Sequence, residues 1–211
     1  MSFEAMQNKI VLFGGTFDPV HSGHLQVADA ARRHLNAERV IFIPARRPPH
    51  KSEPPAASEQ DRMQMLRLAL NGWKDFQVSD CEYHRPEPSF TVDTVEEFRR
   101  RLPFASLVWL VGADAVKDLP RWHQIDRLMA LCTLAVMYRA GYPKPDFTPC
   151  KPYFTAEQIR RLQEHIVPVP LLDISATEIR RRLACGQDVE GLLPASVLEY
   201  IRSRGLYGCR R

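Results

Sequence analysis

Two histidines, His21 and His24, follow a glycine pair, Gly14-Gly15, in the stretch Gly14–Leu25, GGTFDPVHSGHL. Spaced i and i+3, with one ring at the mouth of a helix and one in its first turn, they can converge on one point. The glycines let the backbone come close to a ligand, and the N-terminus of the following helix favours an anion. That set suits phosphate chemistry. The stretch is not a P-loop, because no GxxxxGK[ST] occurs, and it lacks the GxGxxG of a dinucleotide-binding turn. Taken singly, each residue has an ordinary explanation: a tight turn for the glycines, a surface or packing place for either histidine. Two histidines also begin many metal sites, but no third ligand stands in a matching motif, so no metal ligand is assigned. The weight lies in the combination behind a strand and before a helix.

A second set lies near the end of the chain, where Ile174–Arg180 reads ISATEIR. Thr177 and Arg180 share a face at the start of a helical segment, adding a hydroxyl and a fixed cation to an end already suited to anions. Ser175 and Glu178 also form an S-x-x-E capping box, which accounts for both without a ligand. Arg180, Arg181 and Arg182 have an ordinary reading as a solvated face.

The elements that must position these residues alternate along the chain. Strand-like runs are Lys9–Phe13, Arg39–Pro44, Phe76–Cys81, Leu107–Val111, Leu131–Tyr138 and a short, Pro-bearing Ile166–Val169 at an edge. Helical patterns are His24–Leu35, Ser58–Leu70, Thr94–Leu102 with a Thr94/Glu97 capping box, Ser175–Ala184 and Pro194–Arg204. Apolar strands alternating with amphipathic helices predict an α/β, Rossmann-like, doubly wound and mainly parallel sheet. Helices cover both faces, and residues 175–211 form a small C-terminal helical extension. The whole of 1–211 reads as one domain. Such sheets bind ligands beyond the carboxyl ends of their strands, which directs attention to residues after strands 1, 2 and 4. There, Asp114 in Gly112–Asp114 suits ribose hydroxyls or a helix cap. Arg46–Lys51, RRPPHK, is a Pro-stiffened loop in which His50 and Lys51 offer donors to phosphate. Gly141–Pro152 reads as a surface loop. Trp109, inside a strand, belongs to the core.

Composition removes several classes. With 29 basic and 25 acidic residues the net charge is +4, too near neutral for a nucleic-acid coat. No apolar run reaches the roughly 18–20 residues that span a bilayer, and MSFEAMQNK lacks a secretion signal's apolar core. Five scattered cysteines without a CxxC pair argue against a disulfide framework or zinc ribbon and for a reducing, cytoplasmic location.

GGTFDPVHSGHL resembles the first signature of the nucleotidyltransferase superfamily with an HxGH motif. In its full length it resembles the bacterial nicotinate mononucleotide adenylyltransferases in particular. ISATEIR is similar to the family's late ISSTxxR segment; Ser175, Thr177 and Arg180 match and Ala176 departs from its second serine. PPHK matches a family loop. SFTVDT at Ser89–Thr94 is similar to SYTVDT, with Phe90 in place of tyrosine. Asp114 with Trp122-His123 fits GxDxxxxxxxW. The five motifs stand in the family's order across most of the chain.

The resemblance implies adenylyl transfer from ATP to nicotinate mononucleotide, giving nicotinate adenine dinucleotide and pyrophosphate. It implies that Gly14, Gly15, Thr16 and Phe17 cradle ATP, that His21 and His24 meet the phosphates around the reacting phosphorus, and that Arg180 with Ser175 and Thr177 holds the β- and γ-phosphates. Asp114 would bind the adenosine ribose. Asp18, His50, Lys51, Thr91, Trp122 and His123 would serve the acceptor, Thr91 at the pyridine carboxylate and Trp122 stacked on its ring. Mg²⁺ is expected on ATP phosphates and water, with ATP and the mononucleotide as partners, no nucleic acid and no membrane; a homo-oligomer is compatible with all of this. Alternatives are nicotinamide mononucleotide or phosphopantetheine as acceptor. An alternative of another class is a non-catalytic nucleotide- or RNA-binding module, drawing on the Arg-rich segments 99–101, 180–182 and 202–211.

Overall fold

Six apolar runs become the strands β1 (Lys9–Gly15), β2 (Arg39–Pro44), β3 (Phe76–Val78), β4 (Ser106–Gly112), β5 (Thr133–Arg139) and β6 (Ile166–Val169). They form one sheet in the order β3-β2-β1-β4-β5-β6, with every neighbouring pair parallel. The computed structural model describes residues 8–47, 53–139, 141–170 and 174–209. The helices are α1 (Ser22–His34), α2 (Glu59–Leu70), α3 (Thr91–Arg101), α4 (Ile125–Leu131), α5 (Ala156–Glu164), α6 (Ala176–Ala184) and α7 (Ala195–Arg204). The chain winds outward from β1 in one direction, then returns to start β4 on the other side of β1. That reversal opens a crevice beyond the carboxyl ends of β1 and β4.

The strands read as continuous apolar runs because both of their faces are buried. Side chains alternate between two apolar clusters, as the period of two requires. Val11, Phe13, Val40, Phe42, Val108 and Leu110 face the first cluster, with α1 and α2. Ile10, Leu12, Ile41, Ile43, Trp109 and Val111 face the second, with α3, α4 and α5. The helical end of the chain packs Ile179, Leu183, Val197 and Ile201 into the first cluster, alongside Ala28 and Ala31 of α1. Thus α6 and α7 share the core under the first signature. β6 sits at the sheet edge with Pro168 exposed, where a missing N–H costs no ladder bond.

Several boundaries differ from the sequence expectation. α3 begins at Thr91 rather than Thr94, and the Thr94/Glu97 capping box does not form. Thr94 is instead buried, donating its hydroxyl to Glu82 at 2.7 Å and accepting from Arg85, while Glu97 pairs with Arg85 at 3.0 Å. Tertiary partners outbid the local cap. The third strand stops at Val78, and Cys81 opens a 3-10 turn, Cys81–His84. Residues at the start of the expected fifth strand end α4 instead. Residues 141–152 are more than a surface loop: they contain the 3-10 turn Thr148–Cys150 and bury Phe147 and Cys150 in the second cluster. α5 was missed, although Thr155 and Gln158 form a full capping box at its start.

Gly14 marks where the sheet meets the site. A Cβ there would stand 2.4 Å from Trp109 Cζ2, so the indole from β4 packs directly on the β1 backbone. Gly14→Ala should cost about 1–3 kcal/mol through overpacking, seen as a lower denaturation midpoint. Adding Trp109→Phe should recover part of it; an unchanged midpoint in the single variant would contradict this packing.

Candidate active site

The turn after β1 brings its two histidines together as stacked rings, with centroids 3.7 Å apart and planes 24° from parallel. The His21 backbone N–H donates to Nδ1 of His24 at 3.2 Å. That bond makes Nδ1 the acceptor, so the proton of the neutral ring sits on Nε2. Gly23 between them has a packing reason: a Cβ there would lie 3.0 Å from His21 Nδ1. Of the first amides of α1, that of Ser22 donates to Leu192 O and that of His24 to His21 O, so part of the expected anion-binding end is already satisfied.

Phe17, assigned to the ATP cradle, is buried. It packs edge-on against Phe13 at 5.5 Å and against the His24 ring at 4.9 Å. Its backbone is left-handed, at φ 48°, which turns the ring under Gly15; a Cβ on Gly15 would meet Phe17 Cζ at 2.9 Å. The glycine pair therefore makes room for this protein's own rings, Trp109 and Phe17.

Thr16, Phe17, Asp18 and His24 line a cleft of about 520 Å³, and Thr177 and Arg180 of α6 line it from the other side. Arg180 donates to the backbone oxygen of Asp18 at 2.7 Å and to Thr177 Oγ1 at 3.5 Å. Its neighbours behave differently: Arg181 and Arg182 both pair with Glu178 at 2.8 Å. Ser175 caps α6 by accepting from the Glu178 N–H, but the Glu178 carboxylate goes to the two arginines, so the expected box is half formed. Residues Glu53 to Ala56 complete the wall. His50 and Lys51 lie outside the described residues.

Asp18 is engaged by the protein's own donors. Its buried carboxylate accepts from the backbone N–H of Ala56 at 2.7 Å, from that of Ala57 at 3.1 Å and from the Tyr207 hydroxyl at 2.7 Å. Its job is to hold other segments. Arg62, which no motif marks, does similar work. Buried in α2, it donates to the carbonyls of Thr16, Ala45 and Arg46 at 2.9, 2.7 and 3.3 Å, joining the turns that leave β1 and β2. An arginine inside an otherwise apolar helix face was the available signal, since a buried charge needs such partners. Arg46, at the start of the Pro-stiffened loop, pairs with Glu59 at 3.1 Å and donates to Arg85 O at 2.6 Å.

The second group of expected residues sits away from this wall. Phe90 stacks on His123, with centroids 4.2 Å apart, and Trp122 packs with Phe90 against the second core cluster. Thr91 opens α3, whose N-cap residue Phe90 makes no side-chain cap bond. Asp114 stands exposed in the 3-10 turn Ala113–Arg121 after β4, and Gly112 rather than Asp114 is the cap residue. The Arg-rich run 99–101 is engaged internally: Arg99 donates to Ala105 O and Leu131 O, and Arg101 pairs with Glu97.

Comparison with known proteins agrees in both sequence and fold. The cytidylyltransferase-like family model matches residues 12–182. A relative from Thermomicrobium roseum is 40% identical over 200 residues, covering 95% of this chain and 92% of its own. A second, from Moorella thermoacetica, is 40% identical over 208 residues, covering 98% and 95%. Both bear the name probable nicotinate-nucleotide adenylyltransferase. This chain belongs to the nicotinate-nucleotide adenylyltransferase family. The fold also matches a Plasmodium falciparum nicotinic acid mononucleotide adenylyltransferase complexed with NaAD. The TM-score is 0.75 at 18% identity, over 97% of this chain and 99% of that one.

The setting of this adenylyltransferase's histidines determines their charge. Burial pushes His21 down to about 4, and burial followed by the nearby His21 holds His24 well below its ordinary value. Both rings are neutral near pH 7. Above pH 6.5, the ordinary value, their contribution to stability is complete. As pH falls from there toward 4, the unfolded chain binds protons that the folded chain refuses. Stability should then drop by at most about 1.4 kcal/mol per pH unit for each histidine. Denaturation midpoints across this window should fall less steeply for His21→Gln than for the parent; equal slopes would contradict the burial of a neutral His21.

Proposed function

We propose that this chain transfers the adenylyl group of ATP to nicotinate mononucleotide, forming nicotinate adenine dinucleotide and releasing pyrophosphate. The observation that carries the reading is the single cleft in which His24 of the first signature faces Arg180 of the last, with Arg180 anchored on the Asp18 carbonyl. The names of the relatives at 40% identity support the choice of acceptor.

A 5′-phosphate oxygen of the mononucleotide attacks the α-phosphorus of ATP, and the bond from that phosphorus to the bridging oxygen breaks toward pyrophosphate. A phosphate monoester is already mostly ionised near pH 7, so no protein nucleophile or strong base is required. The protein's task is to hold two anions together and to stabilise charge passing to the leaving group. His24, neutral and protonated on Nε2, donates to an oxygen around the reacting phosphorus. The stacked His21 fixes it from behind. Arg180, with Thr177 and Ser175, holds the β- and γ-phosphates, its guanidinium aimed by the Asp18 carbonyl. Gly14, Gly15, Thr16 and Phe17 shape the floor, and Asp114 takes the adenosine ribose. Mg²⁺ comes with the triphosphate, on phosphate oxygens and water. On the acceptor side, the first turn of α3 with Thr91 receives the pyridine carboxylate, while Trp122 and His123 border its ring.

Initial rates with Mg²⁺–ATP and, in parallel, nicotinate mononucleotide, nicotinamide mononucleotide or phosphopantetheine test this reading. Pyrophosphate should appear fastest with the first. None with any acceptor would leave only a binding module. His24→Ala should lower kcat about 10²–10³-fold with little change in KM, as loss of one transition-state donor does; near-normal kcat in the folded variant would remove His24 from the chemistry. Trp122→Ala should raise the mononucleotide KM about tenfold by loss of stacking and leave the ATP KM alone; the reverse pattern would place Trp122 elsewhere.

A further inference from the structure

We propose that Tyr207, at the C-terminal end of the described chain, is a positioning residue of the triphosphate cleft. Its phenol holds the Asp18 carboxylate, and so keeps Arg180 available to phosphate and the wall at residues 53–57 in place. The inference rests on the reading of this cleft as the ATP site. Arg180 touches Asp18 only through the backbone oxygen, at 2.7 Å. The Asp18 carboxylate, on the same residue, is engaged instead by Tyr207, Ala56 and Ala57. A buried carboxylate with three donors is compensated and has no need of a cation. Remove the phenol and Oδ1 keeps only the longer bond, 3.1 Å from Ala57 N. The carboxylate then gains from turning toward the nearest guanidinium. Both Arg180 and Arg62 stand close enough to act on the Tyr207 hydroxyl through their charge. An Asp18–Arg180 ion pair would withdraw the cation from the cleft and loosen the amides of Ala56 and Ala57.

The backbone at this end is shaped for that contact. Tyr207 sits at φ 58°, ψ 27°, in the left-handed region that side-chain-bearing residues avoid, between Gly205 at φ 62° and Gly208 at φ 71°. This tight reversal after α7 returns the ring to a cleft wall built mostly by the other end of the sequence. Burial and the Asp18 carboxylate both push the phenol's pKa upward, so it remains a donor at every working pH. A residue held against its backbone preference implies surroundings that specify it; the Asp18 bond is the specific polar contact it makes.

Tyr207→Phe in the full chain keeps the ring and deletes the hydroxyl. The ATP KM should rise about tenfold, the loss expected for one charge-assisted hydrogen bond, while the mononucleotide KM stays within twofold. Without ligand, the Ala56 and Ala57 amides should exchange with deuterium faster than in the parent. Unchanged ATP KM with unchanged exchange would overturn the proposal, and so would equal rises in both KM values, which mark general loosening. Should the parent make no dinucleotide at all, the functional reading fails, and amide exchange alone decides whether Tyr207 positions this wall. Should Tyr207→Phe not fold, Asp18→Asn keeps the phenol, weakens its acceptor and must give the same ATP-selective defect and faster exchange; neither effect would refute the proposal.

Discussion

A guanidinium resting on a backbone carbonyl joins the two ends of this chain's chemistry. Arg180 comes from α6, Asp18 from the turn after β1, and the bond between them places a fixed positive charge opposite His24. Its geometry depends on the apolar cluster beneath it. Ile179 and Leu183 of α6 are buried with Ala28 and Ala31 of α1, so the two segments that carry Arg180 and His24 are packed as neighbours. A planar, permanently charged group with several N–H donors suits this double duty. One donor is spent on the carbonyl and fixes the plane, and others remain for oxygen atoms of a ligand.

The chain as a whole carries only +4, and burial keeps both signature histidines neutral near pH 7. Arg180 supplies the fixed charge at the wall. Arg62, below the turns that leave β1 and β2, supplies another that is spent on carbonyl oxygens. Among the described residues, neutral imidazoles beside the half-buried Arg180 suit a reaction in which the reactants are already ionised. The protein contributes placement and a prepared field, and needs no proton removed at the reacting atom.

Much of this is legible in the sequence, and the departures from it share a cause. The extent of β2 follows from its apolar run, since a strand buried on both faces announces itself without regard to context, and that of the edge strand β6 from its short Pro-bearing run. The motif residues Thr16, Phe17, Asp18, His24, Thr177 and Arg180 come together in one cleft. The errors arose where a polar residue had a local and a distant partner to choose from. Thr94 reads as a helix cap and is instead held by Glu82 and Arg85. Asp18 reads as an acceptor-side residue, and its carboxylate is held by Ala56, Ala57 and Tyr207. Arg62 and Tyr207 carry no motif, and their partners lie far away along the chain.

By itself the sequence determined the kind of fold, the order of its strands along the chain, the phosphate-suited turn with its paired histidines and the family those motifs resemble. These are properties of local composition and spacing, and neighbouring residues dictate them. Only the tertiary structure decided which donor faces which acceptor: that His24 presents Nε2, that Arg180 leans on a carbonyl rather than a carboxylate, and that the C-terminal turn closes on Asp18. Hydrogen bonds between segments are chosen by burial, because a polar group removed from water must take whichever partner the packing brings within reach.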